Sequence, residues 1–432
     1  MISLNSNKKE ILDKGLKVFS IRVFGYGFGF LFTWILANKY GAKVQGVFSI
    51  AFLFLSIGAM IAKLGVETSI VKWIASTTEI SQKKYIYFKS IKLILVSSII
   101  VGTILFFMAP LIAKMYQKPD VESSIRIAAL AIPFLSILDV SGSFFKGERK
   151  TNTFGMYFHF LKFLIPFVVL MVFYLLSYTV IGIPIIAYLI GLFFTATIIF
   201  IHVLSIVQKG TFVKYQEFSF KFLLLESYPM MISSAIVMIM GWSDIFILGF
   251  YVSEEKIGVY STSIKIATLV AFVYNAIATI LTPKIAAFYH NNQLNELKDT
   301  VAFSAKAMFL CGIPIFVFIF IFSENILGMF GKEYITGKNV LRILLIAQLT
   351  NVLTGAVGPM MQMTGKQKKL QSFILISLIF NIMLSLILVN FYSLEGVAIG
   401  SAFGMILWNL LGAVYIKKHY KIKTYYNIYR SD

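Results

Sequence analysis

ILANKYGAKVQGVFSIA (residues 35–51) and ILGFYVSEEKIGVYSTS (residues 247–263) carry one pattern: Ile-Leu, nine residues, then Gly-Val and an aromatic side chain, with Gly46 and Gly258 set 212 positions apart. Each stretch joins the end of one long apolar run to the start of the next. The repeat therefore pairs the first two apolar runs of the chain with the seventh and eighth. A second pair, SIRIAALAIPFLSILDVSGSFFKGERK from Ser124 and VLRILLIAQLTNVLTGAVGPMMQMTGKQKK from Val340, has an arginine near one end and a Gly-basic cluster at the other. Duplication at this spacing divides the chain into two halves in parallel orientation, 1–209 and 210–432, with six apolar runs in each.

The runs are long because the solvent is lipid. Of 432 residues, 58% are hydrophobic and 13% charged, with a mean hydropathy of +0.83; soluble domains are about 45–50% apolar and about 25% charged. Cutting at polar and Gly/Pro-marked breaks gives twelve spans near 16–38, 45–74, 87–110, 123–146, 154–177, 181–207, 220–250, 257–288, 300–323, 338–363, 369–391 and 395–417. Each reaches the roughly 20 residues that cross a hydrocarbon core of about 30 Å. No dyad alternation marks barrel strands, so helices must satisfy the backbone in lipid. The expected fold is an all-α integral membrane protein of about twelve transmembrane helices in two pseudo-symmetric six-helix lobes. Lys8, Lys9, Lys14 and Lys17 precede a first run too long for a signal peptide and without a small-residue cleavage site, so it is expected to remain as a helix.

A net charge of +20 would suggest nucleic acid in a soluble chain. Here the basic residues sit in short loops between apolar runs, and nucleic-acid binding is not the expectation. Counted from an inside N-terminus, the inner segments hold about 23 Lys and Arg and the outer ones about 7, which places both termini in the cytoplasm. The single cysteine, Cys311, rules out a disulfide framework, and His159, His202, His290 and His419 lack metal-ligand spacing. No Walker-type or dinucleotide motif occurs, so no cofactor is expected.

Polar residues inside the spans are the candidate site. Arg22, Gly25, Gly29 and Thr33 share one helical face, whereas Phe24, Phe28, Phe30, Phe32 and Trp34 lie largely elsewhere. Small and polar residues mark a surface turned toward other helices or a cavity. Arg22 then points into the bundle; in the other reading it sits about 6 Å from the inner boundary and snorkels to the headgroups. On the eighth span Ser261, Lys265, Thr268, Phe272, Asn275 and Thr279 form a polar stripe, and on the fifth Gly155, His159, Lys162 and Pro166 share a face. Lys265 and Lys162 each have the same two readings. Asp139, Glu226 and Asp244 are acidic residues within spans, with Glu67 one turn from Lys63. Asp244 can bind a coupling ion or balance a cation. The basic excess favours an anionic cargo such as a phosphate or pyrophosphate and repels a lipophilic cation.

The segment GWSDIFILGFYVSEEKIGVYSTSIKIATL, with LTPKIAAFY at 281–289 and the Arg22-to-Ser49 region, resembles the O-antigen and capsule repeat-unit flippases, the polysaccharide-export branch of the superfamily that also contains MATE-type multidrug exporters and lipid II flippases. The resemblance implies a V-shaped two-lobe fold and transfer of undecaprenyl-pyrophosphate-linked oligosaccharide from the inner to the outer leaflet of the cytoplasmic membrane. It implies alternating access coupled to H+ or Na+, a cationic cavity to which Arg22 and Lys265 can belong, and a polysaccharide polymerase or chain-length protein as possible partner. Two further helices common in lipid II flippases are missing from the span pattern. The alternatives are a cation-coupled multidrug exporter of the same fold, which calls for acidic lobe cavities, and a membrane polysaccharide polymerase or ligase, which calls for a large polar outer loop.

Overall fold

The structure, a computed structural model, describes residues 6–211, 213, 215 and 217–426, with side chains from residue 20 onward except at 233. The inner-side assignments of the Lys8, Lys9, Lys14 and Lys17 side chains, and of Lys214 and Arg430, lie outside these described residues. The described chain is helical throughout: α1 (Ser6–Ile35), α2 (Gly41–Lys63), α3 (Val66–Ala75), α4 (Ile80–Tyr116), α5 (Pro119–Gly147), α6 (Thr151–Gly155), α7 (Lys162–Leu175), α8 (Ile183–Val207), α9 (Phe220–Tyr251), α10 (Glu254–His290), α11 (Leu294–Ile321), α12 (Ser323–Gly328), α13 (Lys338–Thr354), α14 (Val357–Met363) and α15 (Gln367–Tyr420). π-Helical turns at Leu36–Tyr40 and Met156–Leu161 join α1 to α2 and α6 to α7.

By length and composition, nine helices among the described residues can cross a membrane, or ten if Lys332–Thr354 and Val357–Met363, bent by 49°, form one span. Two of the nine are too long for one crossing. Ser20–Lys63 has 44 residues and Gln367–Tyr420 has 54, about 66 and 81 Å at 1.5 Å per residue against a core of about 30 Å. Gly41, at φ 83°, breaks the first, and Ser393, at φ 50° and ψ −119°, breaks the second. The two arms of α15 fold against each other through Gly396, Gly400 and Gly404. A Cβ at these positions would overlap the Leu388 carbonyl and the Ser385 side chain, and at Gly404 would lie 2.9 Å from the Asn381 Cβ. Glycines at every fourth position let two helix backbones approach this closely. Each divided helix thus supplies two spans, so among the described residues the nine become eleven, and twelve with the bent pair counted as one span. The chain is a multi-pass membrane protein.

Two compact units make up the chain, Met1–Met238 and Ile239–Asp432. In the first, α5 is central, packing on α2, α3, α4 and α8, while α7 packs on α1 and α8. Phe32, Ile35, Leu36, Val44, Leu170, Ile183 and Ala187 form a core that ties α1 and α2 to α7 and α8. In the second unit α10 packs on α11 and α13, and α13 and α14 pack on α15. Large apolar side chains face outward, as Phe107, Phe303 and Phe391 do at 74%, 73% and 77% exposure. Lipid removes the need to hide them, so contact between helices falls to small residues.

Candidate functional site

The first helix sets the geometry of the site in the N-terminal unit. Gly25 and Gly29 are buried, as is Thr33, while Phe24 on another face is 64% exposed. An added Cβ at Gly25 would overlap the carbonyl oxygen of His159, so α1 lies directly on the π-helical turn Met156–Leu161. At Gly29 the same atom would meet the Phe163 ring at 3.1 Å. The face read from sequence as inward is the packed face, and Arg22 stands half-buried at its end.

That turn carries His159 and delivers Lys162 to the first position of α7. A π turn holds one residue more than an α turn, which re-aims the side chains after it; such turns recur at functional sites. Lys162 faces Asp139 on α5, Nζ to Oδ1 3.8 Å. The other carboxylate oxygen of Asp139 accepts a hydrogen bond from Lys63, at the end of α2, at 2.6 Å. Lys63 also lies 4.0 Å from Glu67. Between these two residues Leu64 and Gly65 adopt left-handed conformations, φ 53° and 79°, ending α2 and restarting the chain as α3. The side chains of Lys63, Asp139 and Lys162 are 13%, 12% and 14% exposed.

Lys146 lies two turns beyond Asp139 on α5, with its ammonium over the Phe154 ring at 4.2 Å and the Phe158 ring at 5.7 Å. Lys162 covers Phe158 at 4.4 Å. Gly142, between Asp139 and Lys146, lies against this aromatic platform; an added Cβ would make ordinary contact with the Phe154 ring at 3.4 Å. Cations over ring faces are stabilised by the ring quadrupole without being neutralised. Arg22 interacts electrostatically with Lys146 and His159. Among the described residues Lys63 and Lys162 share the carboxylates Glu67 and Asp139, and Lys146 forms no ion pair within 4 Å, so the lysines of this cluster outnumber its acids by one inside apolar spans. Sequence reading named Arg22, Lys162 and Lys265 as substrate-binding residues; the structure places Lys162 against Asp139 and Arg22 within electrostatic reach of Lys146 and His159, with Lys265 on α10 of the second unit. Lys63, Lys146 and the central role of Asp139 were missed. A legible signal existed: Arg22, Lys63, Asp139 and Lys162 all fall in the half of their predicted spans nearer the assigned inner ends.

In the second unit, Lys265 on α10 forms no ion pair within 4 Å among the described residues, and its backbone carbonyl accepts a hydrogen bond from Thr268. Its stripe, with Thr268, Asn275 and Thr279 exposed, lies opposite the buried Thr262, Ile266, Ala267 and Val270. Asp244 on α9 is 4% exposed and likewise meets no lysine or arginine within 4 Å among the described residues. Tyr260 donates to its Oδ2 at 2.7 Å, and Ser243 and Ser401 are further hydrogen-bond partners. Asn381 donates to Ser243 at 3.4 Å and accepts from Ser385 at 3.1 Å. A carboxylate ringed by neutral oxygens matches the hard-ligand preference of a small cation, or takes a proton. Among the described residues no group of three or more His, Cys, Asp or Glu could hold a metal ion.

The chain matches the polysaccharide biosynthesis protein family over residues 11–288 and the MatE family over 229–387. It belongs to the polysaccharide biosynthesis protein family, in the superfamily of multidrug, oligosaccharidyl-lipid and polysaccharide exporters. A "Putative O-antigen transporter" of Shigella flexneri is 24% identical over 87% of this chain and 90% of its own. The "Probable low-salt glycan biosynthesis flippase Agl15" of Haloferax volcanii is 24% identical over 43% of this chain, a match that spans only 40% of that relative's length. The lipid II flippase MurJ in an inward closed conformation superposes with a TM-score of 0.75 at 18% identity, covering 92% of this chain and 87% of that one. An inward-facing MATE multidrug transporter gives 0.74 at 18% identity, covering 94% and 98%. These likenesses show a MATE-like fold.

Proposed function

We propose that the protein is a flippase that moves undecaprenyl-pyrophosphate-linked oligosaccharide units from the inner to the outer leaflet of the cytoplasmic membrane by alternating access. The observation that carries this reading is the uncompensated positive charge around Asp139, Lys162 and Lys146 within apolar spans. Buried charge of one sign is costly and is retained where a ligand of the other sign completes it. A pyrophosphate supplies two or more negative charges and several acceptors, and Arg22 can grip it with two parallel hydrogen bonds. Family membership and the names of the two relatives support a lipid-linked glycan as cargo and a transport role in place of catalysis.

In this reading Arg22, Lys162 and Lys265 bind the substrate, and Asp244 with its hydroxyl neighbours takes the coupling H+ or Na+. Both termini face the cytoplasm, and a polysaccharide polymerase or chain-length protein receives the product. A lipophilic cation, the cargo of a multidrug exporter, would enter the N-terminal site against its charge. The test is transfer of lipid-linked oligosaccharide in proteoliposomes, scored by accessibility of the glycan to an impermeant glycosidase. Lys162→Gln is expected to lower the rate at least about tenfold, and an unchanged rate removes the anionic site from the mechanism.

A further inference from the structure

Asp139 is held unequally by its two lysines. Lys63 donates to Oδ2 at 2.6 Å, whereas Lys162 stands 3.8 Å from Oδ1, beyond hydrogen-bond length. Oδ1 is buried and accepts no hydrogen bond among the described residues. Lys162 keeps a second contact, the Phe158 face at 4.4 Å, which persists as the ammonium swings about the ring. One lysine is committed to the carboxylate, then, and the other is only lent to it.

Building on the flippase reading, we propose that Asp139 is a specificity-determining internal counter-anion: in the unloaded protein it fills the place beside Lys162 that an anionic oxygen of the substrate takes on loading. Lys162 then exchanges a carboxylate for a phosphate oxygen while Lys63 retains Asp139. Two consequences follow from the charges. Part of the attraction is spent on parting Lys162 from Asp139, so the headgroup is bound weakly enough to leave, as conduction and transport require. A monoanion that merely replaces one charge by another gains little from the exchange. A pyrophosphate also answers the excess positive charge at Lys146 and gains more. The inferred ligand class is therefore a lipid with a di- or polyanionic headgroup, selected over the monoanionic phospholipids that surround the protein.

The experiment measures binding of geranylgeranyl pyrophosphate to the purified full-length protein in detergent, with inorganic pyrophosphate and phosphatidylglycerol as competitors. Asp139→Asn is expected to bind geranylgeranyl pyrophosphate about tenfold more tightly than wild type and to lose discrimination against phosphatidylglycerol. Asp139→Glu keeps the charge and extends it toward Lys162, and is expected to bind several-fold more weakly; it serves alone if the asparagine variant does not fold. Competition by inorganic pyrophosphate as strong as by the lipid pyrophosphate assigns recognition to the headgroup. Wild-type binding with no gain in Asp139→Asn, or equal affinity in Asp139→Glu, overturns the exchange and leaves the flippase reading standing. Failure of wild type and both variants to bind either pyrophosphate overturns the anionic substrate itself, and the exchange with it.

Discussion

Lys63 and Asp139, 76 positions apart, form a 2.6 Å ion pair that ties the end of α2 to α5 in the middle of the N-terminal unit. Both side chains are nearly buried, so removing one leaves the other charge uncompensated, a loss of about 3–5 kcal/mol for an isolated pair. Lys162 shares Asp139 and softens the effect. Lys63→Met is therefore expected to destabilise by about 2–3 kcal/mol, and Lys63→Met with Asp139→Leu to regain most of that. Thermal unfolding in detergent checks both; equal losses in the single and double variants would refute the pairing.

Gly25 and Gly27 make a controlled contrast on one helix. A Cβ at Gly25 overlaps backbone of the π-helical turn, whereas at Gly27 it meets nothing within 4 Å. Backbone cannot yield as a side chain can, so Gly25→Ala is expected to cost about 1–3 kcal/mol and most of the export activity. Gly27→Ala is expected to leave export and unfolding temperature near wild type. Matching behaviour of the two variants would mean that α1 does not sit on His159 in the working protein.

Arg22→Ala should abolish export while leaving the amount of folded protein in the membrane unchanged. Arg22→Lys should restore it in part, because a point charge replaces a planar fork. Combined with Lys162→Gln, the defect should fall well short of the product of the single defects, since two cations on one phosphate group act as a unit. Full activity of Arg22→Ala would favour an arginine that snorkels to the headgroups.

Asp244→Asn keeps the size of the side chain and one acceptor oxygen, for Tyr260, but removes the charge that a cation requires. Glycan transfer in proteoliposomes is expected to lose its response to an imposed Na+ or proton gradient, while binding of geranylgeranyl pyrophosphate remains within about twofold of wild type. Gradient-driven transfer that survives in Asp244→Asn would take the coupling site elsewhere. Lys265→Gln is expected to slow transfer without altering the gradient response.

Single cysteines placed at Ser6, Ser253 and Ser431, after the exposed Cys311 is replaced, report orientation. An impermeant thiol reagent added to intact cells is expected to label Ser253→Cys alone. Labelling at Ser6→Cys would reverse the assignment drawn from lysine and arginine counts.

The amino-acid sequence by itself determined where the spans lie and the packed face of α1, because hydropathy and the 3.6-residue period are local properties; it did not show the break at Leu64–Gly65 within 45–74 or the 49° bend within 338–363. Even the long merged helices Ser20–Lys63 and Gln367–Tyr420 divide where sequence reading had separated the spans. What surrounds Asp139 was a tertiary decision. Glu67, one turn from Lys63 in the sequence, does reach it at 4.0 Å across the left-handed Leu64 and Gly65, but the shorter contact of Lys63 is to Asp139 on α5 at 2.6 Å, which residue spacing does not show. The aim of Lys162 depends on the π-helical turn Met156–Leu161, which shifts the helical register without leaving a mark in residue type. In the second unit, Asp244 meets Tyr260, Ser243 and Ser401, and among the described residues no cation within 4 Å, because α9, α10 and α15 pack together there. Span positions follow from the free energy of each segment in lipid, one segment at a time. Which charges meet follows from the rotation of every helix about its axis, and that is set by packing across the whole unit.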